Sequence, residues 1–301
     1  MKQPNYLRAK DTVGIISTAR KISMEEITEA VHLLNSWELK AKIGSTIGIE
    51  DHQYAGTDQQ RIDDLQRMLD DPEVSAIWCA RGGYGTVRIV DHLDFTKFLE
   101  HPKWIIGYSD VTVLHSQLHN LRVQTLHATM PINVDGNSKA ALSTLKASLF
   151  GKSPSVATSP SKHNRTGSGS GPLVGGNLSI LYSLLGSSSS IDTTGKILFI
   201  EDLDEYLYHT DRMVINLKRN GYFEGLAGLV VGGFTKMHDN TIPFGKNAQE
   251  IILDAVRPYD FPVCFNFPAG HIDDNRALLL GHEYVLNVSE EKVSLSPKSD
   301  R

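Results

Sequence analysis

The sequence predicts an α/β protein of two domains, a parallel-sheet N-terminal domain and a mixed α/β C-terminal domain. Three observations carry this. Short apolar, β-rich runs alternate with helical patterns through the first half. A stretch rich in Ser, Gly and Pro, residues 151–171, interrupts the alternation. Beyond it the alternation resumes and ends in two adjacent extended runs. The expected organisation is an N-terminal α/β domain over 1–150, a linker over 151–171 and a C-terminal domain over 172–301.

The elements follow in order. Asp11 to Ser17 reads as a buried strand. Ser23, three residues before Glu26, is a capping-box signature opening a helix with apolar Ile27, Ala30, Val31 and Leu34. A second helix pattern runs from Thr57 to Leu69 and stops near Asp71-Pro72. A strand at Val74 to Cys79 leads into the Gly-rich turn Arg81-Gly82-Gly83-Tyr84-Gly85, and a helix is expected over Val87 to His92. The apolar Trp104-Ile105-Ile106 is the next strand, and helical spacing begins after Asp110. Strands separated by helices make a parallel sheet covered on both faces. In the second half, a helix follows Gly175-Gly176-Asn177. Strands are expected at 196–200, 228–232 and 263–267, helices at 211–220 and 247–256, and a hairpin at 283–288 with 292–296.

Composition removes several classes of function. A chain of 301 residues buries enough surface to need no disulfide or metal for its core. Lys and Arg number 30 against 35 Asp and Glu, a net charge of −5 with no dense basic stripe, which argues against nucleic-acid binding. Cys79 and Cys264 are too few for a disulfide framework or a cysteine zinc site, and each sits in an apolar run as a small hydrophobe would. The N-terminal residues lack the apolar core of a signal peptide. The longest apolar run, Leu226 to Phe234, is shorter than a membrane span. A cytoplasmic protein that does not enter the membrane is expected. No P-loop, dinucleotide fingerprint or His-Glu-x-x-His is present, and Asp273-Asp274 beside His271 reads as a solvated turn, so no cofactor and no metal are expected.

Chemistry concentrates at the ends of strands. After Trp104-Ile105-Ile106, Gly107 permits a tight turn and Ser109 stands at its apex before a helix. That is the setting of a nucleophile elbow, although Val111 occupies the place of the usual last Gly. The alternative is that Ser109 or Asp110 merely caps the helix. A serine nucleophile needs a base, usually His held by a carboxylate. Glu201 is the first polar residue beyond one strand, and His271 follows another in Pro268-Ala269-Gly270-His271. Each has a structural reading, an acidic surface turn and a packed histidine. Their chain order, Ser, carboxylate, His, is that of serine hydrolases on α/β sheets. The amide of Asp110 is one natural oxyanion donor, and the Gly82-Gly83 turn either supplies another or is only a turn.

These motifs, with Asp11 to Ile15, Gly175-Gly176-Asn177-Leu178, Ile200-Glu201-Asp202, Asp211-Arg212-Met213 and Gly270-His271, resemble the serine LD-carboxypeptidases over nearly the whole chain. They are most like the bacterial muramoyltetrapeptide carboxypeptidases, and the microcin C self-immunity carboxypeptidases are a related branch. The resemblance implies a triad of Ser109 as nucleophile, Glu201 as orienting carboxylate and His271 as base, in a groove between two domains. It implies Gly83 and Asp110 amides as the oxyanion hole, no cofactor, and a homodimer. The implied substrate is a muropeptide, from which a C-terminal D-alanine is released after an L-configured centre in peptidoglycan recycling. Arg81 is the candidate for holding the substrate carboxylate, with a turn salt bridge as its other reading. Leu207 and Leu279 stand where relatives have Pro, which alters the groove walls. Two other functions compete. One is cleavage of peptide–nucleotide conjugates, which calls for an aromatic stacking platform. The other is non-catalytic ligand binding, in which Ser109, Glu201 and His271 stay apart.

Overall fold

A computed structural model describes residues 1–298. In the first half the strands are β1 (Thr12–Ile16), β2 (Lys40–Ile43), β3 (Val74–Cys79), β4 (Trp104–Gly107) and β5 (Thr125–His127). The helices are α1 (Thr28–Ser36), α2 (Asp58–Asp70), α3 (Thr96–Glu100), α4 (Thr112–Asn120) and α5 (Lys139–Leu149). Ser23 and Glu26 exchange their expected bonds, with the Ser23 N–H reaching Glu26 Oε2 at 2.8 Å and the Glu26 N–H reaching Ser23 Oγ at 3.2 Å. A short 3-10 turn, Glu25–Ile27, intervenes before α1. Thr57 and Gln60 form a second capping box at α2. Residues 87–92, expected as a helix, form two 3-10 turns, Thr86–Arg88 and Val90–His92. The segment is too short to stabilise an α-helical nucleus, and its amides bond three residues back.

The second half contributes β6 (Val156–Thr158), β7 (Gly167–Asn177), β8 (Ile197–Leu203), β9 (Gly228–Thr235), β10 (Val263–Cys264), β11 (Leu278–Leu280), β12 (Glu283–Val288) and β13 (Val293–Pro297). Its helices are α6 (Leu178–Ser183), α7 (Leu207–Arg219) and α8 (Ala248–Val256). Much of the stretch expected as a linker is strand. β7 begins within it and pairs antiparallel with β12, and β6 pairs with β13. Its glycines are there for close packing rather than for slack. A Cβ on Gly169 would sit 1.8 Å from the Ala227 carbonyl oxygen, and one on Gly171 would sit 2.3 Å from that of Gly195. The strand expected to run to residue 267 pairs only over Val263–Cys264, and Asn266 then turns out of line with φ 57°.

Two sheets result. The first has the order β11-β5-β4-β3-β1-β2, parallel except for β11, and the second β10-β9-β8-β7-β12-β13-β6, parallel from β10 to β7 and antiparallel beyond. The second half is a mixed α/β unit, as expected. The seam between the two is apolar: Trp78, Trp104, Ile106 and Leu126 share one buried cluster with Phe199, Val230, Phe267 and Leu278. Among the described residues no helix is long and apolar enough to cross a membrane. Both cysteines are free and buried, and burial pushes each thiol up to about 12.

Candidate active site

The carboxyl ends of β3, β4, β7 and β8 open on one cavity of about 490 Å³, the place where open α/β sheets bind ligands. Ser109 and His271 both line it, with Gly82, Gly83 and Arg81.

Ser109 lies two residues beyond the end of β4 and holds φ 64°, a left-handed backbone that a non-glycine residue adopts only under constraint. The helix-cap alternative fails here. Neither the 3-10 turn Ser109–Val111 nor α4 has a side-chain cap bond at its start. Asp110 turns its carboxylate inward to accept the Thr86 N–H at 2.9 Å, tying the glycine loop to the serine turn. Burial raises the pKa of this carboxyl against the Thr86 hydrogen bonds. The loop is pressed against the serine: a Cβ on Gly82 would lie 3.0 Å from Ser109 Oγ and 3.5 Å from the Asp110 amide nitrogen. The Asp110 amide and the glycine turn therefore flank the hydroxyl.

Glu201 and His271 form a closed pair. β8 has an irregular register between Ile200 and Asp202, and such a bulge re-aims the side chain it carries. Glu201 is fully buried, and its Oε2 accepts His271 Nδ1–H at 2.6 Å and the His271 backbone N–H at 3.2 Å. Gly270 allows this approach, because with φ 103° a Cβ there would fall 2.7 Å from Glu201 Oε2. A carboxylate can only accept, so Nδ1 carries the proton and Nε2 is left with its lone pair. Burial penalises both charges, yet their mutual attraction and hydrogen bonds win: Glu201 is held below the ordinary carboxylate range and His271 above the ordinary imidazole range. Tyr108 sets its ring edge-on to His271 at 4.8 Å and donates its hydroxyl to Asn133 Oδ1 at 3.1 Å. The serine strand thus braces the imidazole offered by the other half of the chain.

The Ser109 hydroxyl has no hydrogen-bond partner among the described residues. Nucleophile–base contacts are commonly loose until substrate is bound. Arg81 lines the cavity, but its guanidinium also stands 3.5 Å from Glu26 and reaches the Lys21 carbonyl at 3.4 Å. Asp274 accepts from Ser138 and Arg276, as befits a partly solvated turn.

Several further residues, given no chemical role on the sequence, complete the site. Asp202 lines the cavity while buried, bonded by Asn177 Nδ2 at 2.9 Å and the Ser179 N–H at 3.0 Å. Burial and the adjacent Glu201 charge push its carboxyl up to about 7. Asn275 is fully buried, and its Oδ1 accepts the Gly270 N–H at 2.8 Å and faces His127 Nε2 at 3.2 Å. Its place directly after Asp273-Asp274 was the available signal. Arg20 lines the cavity from the loop after β1, where nothing in the sequence distinguishes it.

An LD-carboxypeptidase N-terminal domain model matches residues 13–128, and an LD-carboxypeptidase C-terminal domain model matches residues 170–286. A probable murein peptide carboxypeptidase of Bacillus subtilis is 35% identical over 96% of this chain and 92% of its own length. A murein tetrapeptide carboxypeptidase of Pseudomonas aeruginosa is 26% identical over 91% of this chain and 92% of its own. The crystal structure of a muramoyltetrapeptide carboxypeptidase from Oxalobacter formigenes superposes with a TM-score of 0.86 at 25% identity, covering 96% of this chain and 99% of that one. A microcin C7 self-immunity protein shares the fold, with a TM-score of 0.86 at 20% identity and 98% of both chains covered. Fold and likeness define a two-domain α/β carboxypeptidase. The chain belongs to the LD-carboxypeptidase family.

Proposed function

We propose that this protein is a serine-type carboxypeptidase that releases the C-terminal D-alanine of muropeptide tetrapeptides. The observation that carries the reading is the buried Glu201–His271 pair, bonded at 2.6 Å, sharing one cavity with a serine held at φ 64°. Ser109 Oγ attacks the carbonyl before D-alanine while His271 Nε2 takes its proton. The Gly83 and Asp110 amides stabilise the oxyanion, and loss of one such donor costs roughly 10²–10³ in rate. Collapse breaks the C–N bond, and the imidazolium returns its proton to the leaving amine. His271 then activates a water that cleaves the acyl-enzyme and frees the tripeptide. Glu201 fixes the tautomer and stabilises the imidazolium throughout.

Trp78 and Trp104 are buried in strands with their indole N–H groups on the carbonyls of Thr129 and Asn5, and Tyr108, the aromatic ring that does line the cavity, is engaged edge-on with His271. That favours a peptide over a nucleotide conjugate. The murein names of two relatives support the substrate class; a cytoplasmic role in peptidoglycan recycling and a homodimer are proposed with it, on the resemblance alone. The test is mass-spectrometric detection of D-alanine from an L,D-tetrapeptide set against its L,L counterpart. Release from the L,D peptide alone supports the reading, and equal or no release overturns it.

A further inference from the structure

A carboxypeptidase must hold a free carboxylate one residue beyond the bond it cuts, so a cation has to stand beside the oxyanion turn. This inference rests on the proposed reaction. Arg20 and Arg81 are the two arginines of the cavity, one on each side of the glycine turn. Their charges are not equally available. Arg81 faces the Glu26 carboxylate at 3.5 Å and spends an N–H on the Lys21 carbonyl. The neighbouring Lys21 is paired with Glu50 at 2.5 Å. The Arg20 guanidinium has no ion pair and no hydrogen bond among the described residues, while its main chain is fixed by Ser17 Oγ donating to its carbonyl at 2.6 Å.

The Arg20 stem lies across Gly83. A Cβ on Gly83 would fall 2.2 Å from Arg20 Cδ and 2.4 Å from its Cγ. Gly82, one residue away, touches Ser109. The unpaired guanidinium is therefore rooted one residue from the hydroxyl that attacks. The cavity is also lined by Asp202, Asp204 and Glu205, which would repel a substrate carboxylate. Asp204 and Glu205 there are already partnered by His238 and His209.

We infer that Arg20, rather than Arg81, is the residue that recognises the terminal carboxylate of the substrate, by a charge-assisted and forked hydrogen bond. The experiment compares wild type, Arg20→Met, Arg20→Lys and Arg81→Met on an L,D-tetrapeptide with a free C-terminus and on its C-terminal carboxamide. For the free acid, Arg20→Met is expected to raise KM by roughly 10- to 100-fold, with partial recovery in Arg20→Lys. The kcat/KM for the carboxamide is expected to change by less than about threefold, since that substrate has no charge to lose. Arg81→Met is expected to cost less than about threefold on the acid. Equal losses on acid and amide, no loss in Arg20→Met, or a larger loss in Arg81→Met would overturn the inference while leaving the proposed reaction standing. A wild-type protein that cleaves neither peptide would overturn the reaction and this assignment together.

Discussion

At the scale of single residues, the site is a division between one strained group and one buried carboxylate–imidazole pair. Ser109 holds its left-handed backbone between the end of β4 and the turn that leads into α4. Ser109→Ala removes only the hydroxyl, so we expect D-alanine release to fall below detection. Thermal stability should stay within about 0.5 kcal/mol of wild type, as for a substitution that leaves no buried group unpaired. Residual release near the wild-type rate would assign the chemistry elsewhere. The histidine makes a second test. Its pKa is raised by the Glu201 carboxylate against burial. A general base must be neutral to work, so activity is lost as pH falls through that raised value. The acidic limb of kcat/KM is therefore expected above the ordinary imidazole range of about 6.5. Glu201→Gln removes the opposing charge and should move the limb downward, while lowering kcat by roughly 10²–10⁴. A limb that stays in place would show that another group titrates.

At the scale of elements, each proposed catalytic side chain depends on a neighbour that shapes the backbone beneath it. The turn bearing His271 is held by Gly270, whose N–H is satisfied by the buried Asn275. Gly270→Ala would push a methyl group into Glu201, 2.7 Å from its Oε2, at a backbone angle that alanine resists. We expect that variant to lose activity by about 10²-fold or more through a displaced imidazole. Asn275→Leu leaves the Gly270 N–H and the His127 ring without their partner. It should cost about 1–3 kcal/mol in chemical denaturation, together with activity. No loss of stability would mean that water replaces the amide. Sequence reached some of this level and missed the rest. Ser23 with Glu26, the apolar run before Ser109 and the polar residues ending β8 carry their meaning locally, in spacing and capping. The strand β7 does not, because its residues 167–171 alternate Gly and Ser with no apolar face. Only the approach of the Ala227 and Gly195 carbonyls explains them. Asn275 is legible only in part, since its partner Gly270 is near in the chain but His127 is distant, and Arg20 has no side-chain partner among the described residues to mark it.

At the scale of the molecule, the two halves cross. β11, from near the end of the chain, pairs antiparallel with β5 and closes the edge of the first sheet. Leu278, Leu279 and Leu280 are buried there, and Leu278 joins a cluster that runs from Trp104 through Leu126 to Phe199 and Phe267. Asn137 and Ser138, which lead into α5, reach back to the loop of Ile272 to Asp274 through side-chain and backbone bonds. The Ser109 turn and the His271 turn are thereby fixed to one packed interior, which keeps the proposed nucleophile and base in register without a covalent tie. Such a seam couples the stability of the halves, because unfolding either one uncovers apolar surface on the other. We expect denaturant unfolding followed by circular dichroism and by tryptophan fluorescence to give coincident single transitions. The fluorescence reports the first half, since Trp37, Trp78 and Trp104 all lie there. The fragment 1–150, lacking β11, would leave the β5 edge and its apolar neighbours open, and is expected to aggregate or to unfold at much lower denaturant. Two separated transitions in the intact chain, or a soluble 1–150 fragment as stable as the whole, would show that the halves fold on their own. The alignment of Ser109 with His271 would then depend on docking rather than on a shared core.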